Sequence, residues 1–333
     1  MTGGTTLRKA FSEQKACMSD VYSRLAPFLS CPEGTHADYQ VKPGAVPSSF
    51  LSWRKNIFST LFHSVYLALE IPEQRRMLYG RLIHLYRIWV TSADNLLDNE
   101  DKVVVPIDMP GSSKIMRQVV AIMAADRVLS EIVQESAESG IITQEAGARL
   151  MSESLRCLLP SAAQEATEEG GIRERPDHEH VLNVIHRLKT GLLFNVAFTG
   201  PDIAEPHLDI NKVRLLKEAM MEFGLGCQLL DDVRDIARDL AENRHNYVLS
   251  WLAHNEPETL TRLKEKNIDV SERLYLQVPQ AAAPAARRGF RMMKEGLCKL
   301  GASGFEYGSK EAEGMAEVMF AVLDLEGLEA ISH

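Results

Sequence analysis

The sequence predicts an all-α protein, a bundle of about ten helices around a central cavity. Three observations predict it. Apolar residues recur at helical spacing along most of the 333 residues. Runs of alternating β-branched residues are nearly absent, and VVVPI at 103–107 is short and interrupted at Pro106. No internal repeat or long linker divides the chain. A single helical domain over 49–333, behind an N-terminal segment 1–48 that is partly loop, is the economical reading.

Pro72 suits the first turn of a helix starting near Glu70, where its missing N–H would have no partner. That helix runs through QRRMLYGRLIHLYRIWVTSADNLLDN to about Asn99. Segments 112–138, 143–158, 177–199 and 210–241 carry the same period, as do 257–276, 283–300 and 309–328. Asp209 is the expected N-cap of the helix NKVRLLKEAMMEFGLGCQLLDDVRDIARDL. Loops are expected at 32–48, 99–112, 168–176, 200–208 and 242–247. Two of the helices reach about 27–32 residues without sustained heptads, so they read as long staves flanking a shared cavity rather than a coiled coil. Gly224 and Gly226 each cost a helix interior about 1 kcal/mol relative to alanine, which points to a neighbour or ligand approaching that backbone closely.

Composition narrows the function. The net charge is −9, with 46 acidic residues against 37 lysines and arginines, which argues against a diffuse nucleic-acid surface. The cysteines at 17, 31, 157, 227 and 298 are odd in number and contain no CxxC pair, the pattern of reduced thiols in a cytoplasmic protein. The N-terminus lacks a signal-peptide core, and no run reaches the ~18–20 apolar residues of a membrane span. A soluble protein is expected. Nucleotide cradles, zincin helices and the hydrolase elbow lack their signatures.

Two acidic stretches carry the chemistry. In ADNLLDNED (93–101), Asp94 and Asp98 lie one turn apart on one helix face after a long apolar run. Shielded from water at about 6 Å and an effective dielectric near 20, they would repel by about 3 kcal/mol, so a cation is expected beside them. In GLGCQLLDDVRDIARDL (224–240), Asp231 and Asp235 repeat the spacing, with Asp232 adjacent and Asp239 another turn along. Facing clusters of this kind can share hard divalent cations, and Mg²⁺ suits them because it accepts a few carboxylates and takes its remaining oxygens from water and phosphate. A carboxylate-bridged dimetal bundle would want helical Glu-x-x-His pairs. The only matches are Glu33–His36 in a loop and Glu242–His245 at a helix end.

These features resemble the class I isoprenoid synthases: trans-prenyltransferases, terpene cyclases and squalene/phytoene synthases. The resemblance spans about residues 50–325. It is carried by DNLLD (94–98), HRLKTGLLF (186–194) and FGLGCQLLDDVRD (223–235). Gln228 three residues before DDVRD, and Lys189-Thr190 about forty residues upstream, are similar to the polyprenyl diphosphate synthase pattern. The resemblance implies catalytic roles for Asp94, Asp98, Asp231, Asp235 and Lys189. It implies metal ligation by Asp94, Asp98, Asp231, Asp232, Asp235 and Asp239, and contacts to a prenyl diphosphate from Lys189, Arg187, Arg244, Lys102 and Gln228. The implied cofactor is Mg²⁺, about three ions against the diphosphate, with Mn²⁺ as a substitute. Phe58, Phe62, Tyr86, Trp89, Phe194 and Phe198 are candidates to line an apolar, cation-stabilising cavity.

The chain also departs from that pattern. Chain-elongating relatives carry a Gly-Lys-x-x-Arg-Pro stretch and paired arginines after the first motif. Here VKPGAVPSSFLSWRKN and Lys102-Val103-Val104 stand in those places, and the first motif begins Asp-Asn rather than Asp-Asp. These departures favour a one-substrate reaction, in which a farnesyl- or geranylgeranyl-class diphosphate is ionised and cyclised or quenched by a terpene synthase. Prenyl transfer by a chain-elongating polyprenyl synthase is the alternative. Head-to-head coupling of the squalene/phytoene type, with Asp235 and Asp239 as ligands, also remains open, as does a non-catalytic subunit. Relatives of this kind are commonly homodimers.

Overall fold

A computed structural model of the chain describes residues 3–111, 113–266, 269–305 and 308–322, with residues 3–5, 321 and 322 as backbone only. Helices dominate the described residues, in agreement with the all-α expectation. In chain order they are α1 (Gly3–Phe28), α2 (Ile57–Ala68), α3 (Glu73–Leu97), α4 (Lys114–Glu138), α5 (Gln144–Arg156) and α6 (Leu159–Ala166). Then come α7 (His178–His180), which continues as a π-helix over Val181–Gly191, a 3₁₀ stretch Leu193–Phe198, and α8 (Thr199–Ala204). The rest are α9 (Ile210–Arg234), α10 (Ile236–Ala241), α11 (Tyr247–Asn255), α12 (Pro257–Glu265), α13 (Pro279–Leu300) and α14 (Ser309–Val322). No helix among the described residues is long and apolar enough to cross a membrane.

The chain divides into two compact units. The first comprises Met1–Leu155 with Ala197–His207, and the second Arg156–Val196 with Leu208–His333.

In the first unit α3 packs against α1, α2 and α4. Its buried stripe, Leu78, Leu82, Leu85 and Ile88, follows the 3.6-residue period. A Cβ on Gly80 would fall 2.7 Å from His63 Nδ1 and 2.8 Å from Cys17 Sγ, so a bare backbone lets α1 and α2 close onto α3. Glu13 of α1 fastens the three helices. Its carboxylate accepts from Arg76 Nη2 at 2.6 Å and Arg76 Nε at 2.9 Å, and lies 2.8 Å from His63 Nε2.

The second unit is built on α9 and α13, which pack antiparallel along small residues. A Cβ on Gly226 would lie 2.6 Å from both Gly289 O and Met293 N, and one on Gly296 2.8 Å from Ala219 O. Gly224 lies beneath the Phe194 ring, where a Cβ would come within 2.6 Å of its carbons. The approach expected at both glycines is therefore made by neighbouring helices of the protein itself.

Asp209 caps α9 as expected, accepting from the Asn211 and Lys212 amides. Elsewhere the boundaries shift. Glu70 takes a left-handed conformation (φ 55°), and Pro72 caps α3 from outside the helix rather than entering its first turn. The 210–241 helix breaks at Asp235 (φ −95°, ψ 16°). The segment 200–208 begins with α8, because Pro201 falls in a first turn that needs no N–H partner. Ile107–Asp108 pairs antiparallel with Lys42–Pro43 in a two-residue ladder. The helices α1 and α2 supply much of the first unit's core without having been marked as separate elements in the sequence reading.

Candidate functional site

Asp94 sits in the last turn of α3 and Asp98 is its C-cap, the Asp98 amide donating to the Asp94 carbonyl at 2.8 Å. The chain then reverses at Asn99, whose φ of 51° is a conformation Asn tolerates better than most residues. This reversal returns Glu100, whose amide donates to Asn95 O at 2.9 Å. One oxygen from each of Asp94, Asp98 and Glu100 lies within 4.8 Å of the other two. Sequence reasoning named the two aspartates and missed Glu100. The available signal was an asparagine directly after Asp98, the residue type that permits such a reversal.

Asn95 explains why the motif begins Asp-Asn. It is 1% exposed, and its Nδ2 donates to Lys102 O at 2.7 Å while its Oδ1 accepts from Lys102 N at 3.4 Å. A carboxylate there could not make the first bond. Lys102 itself points outward and ion-pairs with Glu100.

In the second unit the four aspartates occupy different environments. Asp232 is buried. It accepts from Gln228 Nε2 at 3.0 Å and Tyr247 N at 2.6 Å, and lies 3.1 Å from His186 Nε2. It thereby joins α9 to the start of α11 and to the π-helix. Asp239 accepts from Asn246 Nδ2 at 2.8 Å, and burial together with Asp232 raises its pKa well above the usual carboxylate range. Asp231 and Asp235 share one cation, Arg234. Its guanidinium bonds Asp231, and reaches Asp235 through Nε at 2.8 Å and Nη2 at 3.0 Å. Arg238 Nη2 adds a contact to Asp235 at 3.1 Å. Desolvation, with help from Asp235 and Asp232 and against Arg234, pushes the Asp231 pKa up to about 6.

Lys189 and Thr190 lie in the π-helical run, a backbone form enriched at functional sites. Lys189 Nζ is 2.9 Å from Glu165 Oε1, and Arg244 Nη1 is 3.8 Å from the other oxygen of the same carboxylate. Arg244 also pairs with Glu242 at 2.8 Å. Burial would lower the Lys189 pKa, but Glu165 and Glu168 more than offset it and the net shift is upward, so Lys189 stays protonated. Thr190 donates to Gln228. The structure thus brings Lys189 and Arg244 together on Glu165, a residue sequence reasoning did not identify, and places Arg187 on an exposed face.

The six aromatic candidates divide. Tyr86 and Phe198 are core residues, with Tyr86 Oη 2.7 Å from Ser154 Oγ. Phe194 packs edge-on against Phe223 at 5.6 Å. Phe58, Phe62 and Trp89 are half-buried.

The donor sets differ in their fit to a hard divalent cation. Asp94, Asp98 and Glu100 fit, offering three carboxylates at a helix end where water can complete the shell. Asp231 and Asp235 do not fit as arranged, because Arg234 already pairs with both carboxylates.

No protein-family model matches the chain, and no curated protein matches it in sequence. Solved structures do match it. Geranylgeranyl pyrophosphate synthetase from Pyrococcus horikoshii Ot3 superposes with a TM-score of 0.61 at 15% identity, covering 96% of this chain and 99% of its own. Heptaprenyl diphosphate synthase from Staphylococcus aureus gives 0.59 at 15% identity, covering 92% and 98%. A geranyltransferase from Legionella pneumophila gives 0.58 at 13%, covering 95% and 98%. At these identities the likeness is one of fold. The chain has the all-α fold of the isoprenoid synthases.

Proposed function

We propose that this chain is a divalent-metal-dependent enzyme acting on prenyl diphosphates, and that it transfers a prenyl group from an allylic diphosphate to a second prenyl diphosphate. The observation that carries the first part is the convergence of Asp94, Asp98 and Glu100 at the end of α3. Mg²⁺ held there would supply the charge that makes a diphosphate a competent leaving group. Lys102, already paired with Glu100 at the protein surface, can turn to diphosphate oxygens. Lys189 and Arg244 both reach Glu165, and Arg244 also holds Glu242, so an incoming anion that displaces Glu165 meets two cations.

Prenyl transfer is favoured over a one-substrate reaction by two considerations. The solved structures of this fold named above are a geranylgeranyl pyrophosphate synthetase, a heptaprenyl diphosphate synthase and a geranyltransferase. Arg87 lies seven residues before Asp94 on α3, about two turns away on nearly the same face. Among the described residues its side chain pairs with the neutral Asn56, Nη1 to Oδ1 at 2.6 Å, and with no carboxylate. Burial lowers its pKa. A largely desolvated guanidinium without a countercharge suits an anionic ligand, and a second diphosphate is one.

The terpene synthase reading rests on the missing Gly-Lys-x-x-Arg-Pro stretch and on Lys102-Val103-Val104. Incubation with Mg²⁺ and geranyl, farnesyl or geranylgeranyl diphosphate, each with and without isopentenyl diphosphate, separates the two by mass spectrometry. A longer diphosphate formed only when both substrates are present supports transfer. Hydrocarbon or alcohol from one allylic substrate alone supports the terpene synthase, and no diphosphate release from any mixture refutes both.

A further inference from the structure

We infer that Arg234 is the resident cation of the distal aspartate pair, and that Asp231 and Asp235 therefore hold no divalent ion in this protein. The geometry makes Arg234 an internal substitute. It follows Asp231 by three residues and precedes Asp235 by one, so its side chain lies along the helix end and reaches both carboxylates, the latter in a two-point fork. Arg238, one turn on, adds a second positive charge to Asp235. Arg234 and Arg238 set positive charge directly against these carboxylates, whereas a site for a hard divalent ion needs uncompensated anionic oxygen.

The neighbouring acids do not restore that charge. Asp232 is committed to Gln228, the Tyr247 amide and His186, and Asp239 accepts from Asn246 Nδ2 at 2.8 Å. The asymmetry between the two motifs is visible in sequence. DNLLD has two leucines between its aspartates, whereas DDVRD has an arginine. A planar guanidinium donates to both carboxylate oxygens in a fixed fork that a lysine could not reproduce.

The assignment deepens the proposed function by placing its cation requirement on Asp94, Asp98 and Glu100. It stands on the Arg234 contacts whether or not the chain turns over a prenyl diphosphate. The test is Mn²⁺ binding, read as loss of the free Mn²⁺ electron paramagnetic resonance signal, with and without inorganic diphosphate. The proteins are the wild type, Asp231→Asn/Asp235→Asn, Arg234→Gln, Arg234→Gln combined with Asp231→Asn, and Asp94→Asn/Asp98→Asn, each checked for helicity by circular dichroism.

The expected result is that Asp231→Asn/Asp235→Asn binds as many ions per chain as the wild type under both conditions. Arg234→Gln should gain an ion that the added Asp231→Asn removes. One ion fewer in Asp231→Asn/Asp235→Asn, with or without diphosphate, overturns the inference, as does an Arg234→Gln protein that folds and gains nothing. If Arg234→Gln does not fold, the comparison of wild type with Asp231→Asn/Asp235→Asn decides alone. Unchanged binding in Asp94→Asn/Asp98→Asn is a separate result that counts against the proposed metal site on α3 and leaves the Arg234 assignment standing.

Discussion

Asn95→Asp is the most informative single substitution, because it installs the aspartate that the resemblance leads one to expect. In this protein it should do harm. The Asn95 side chain is 1% exposed and holds the loop after α3 through Nδ2 to Lys102 O at 2.7 Å and Oδ1 to Lys102 N at 3.4 Å. An ionised aspartate keeps the acceptor and loses the donor, and its second oxygen then faces the Lys102 carbonyl. Losing this part-buried bond costs about 1–3 kcal/mol, and desolvating the new charge at buried Asn95 adds to it. A total of about 3 kcal/mol corresponds to a fall in melting temperature of about 6–12 °C for a cooperative unit of this size.

The sign with pH follows from burial. The new carboxyl should titrate above its unfolded value, so the variant's deficit is largest at neutral pH and shrinks as pH falls through the raised pKa, where the protonated acid can donate to Lys102 O. The assay is the difference in melting temperature between wild type and variant from pH 7.5 to pH 4.5, with Mn²⁺ affinity measured in parallel because Glu100 rides on the same loop. A variant as stable as the wild type at pH 7.5, or a deficit that does not change with pH, would refute this account of Asn95.

Glu100→Gln should weaken Mn²⁺ binding about 10–100-fold, in the range seen when a ligand or its immediate support is lost, and unchanged affinity would remove Glu100 from the trio. Glu13→Gln should cost about 3–5 kcal/mol by stranding a buried Arg76. Burial opposes the Glu13 charge, but hydrogen bonds from Arg76 and His63 hold its pKa at about 2 against an ordinary 4.5. That stabilisation is complete above pH 4.5 and lost as pH falls toward 2, so wild-type and Glu13→Gln melting temperatures should converge across that window, and a constant gap would contradict it. Gly226→Ala places a Cβ 2.6 Å from two backbone atoms of α13 and should destabilise by about 3 kcal/mol in urea titration. Gly314→Ala in α14 meets open space and should gain up to about 1 kcal/mol; equal effects at the two sites would rule out the packing argument.

Much of the fold could be read without coordinates because its signals are local. The stripe on α3, the Asp209 cap and the cost of glycine in α9 each depend on residues within a turn or two of one another. Asp94 and Asp98 were legible for the same reason: helical spacing alone puts them on one face. Gly226 marked a close approach, but its partner Gly289 lies sixty-three positions away. No local period connects the two.

The sequence by itself therefore determined the helical class, the long helices and where acidic and basic groups concentrate. Only the tertiary structure decided what each charge meets. Asn99 turns the chain so that Glu100 joins the aspartates, Glu165 of α6 takes Lys189 from the π-helix, and Asp232 is spent on joining α9 to α11. The physical reason is that a residue type fixes the sign of a charge and the number of its hydrogen bonds, while packing fixes which opposite charge comes within about 3 Å to satisfy them.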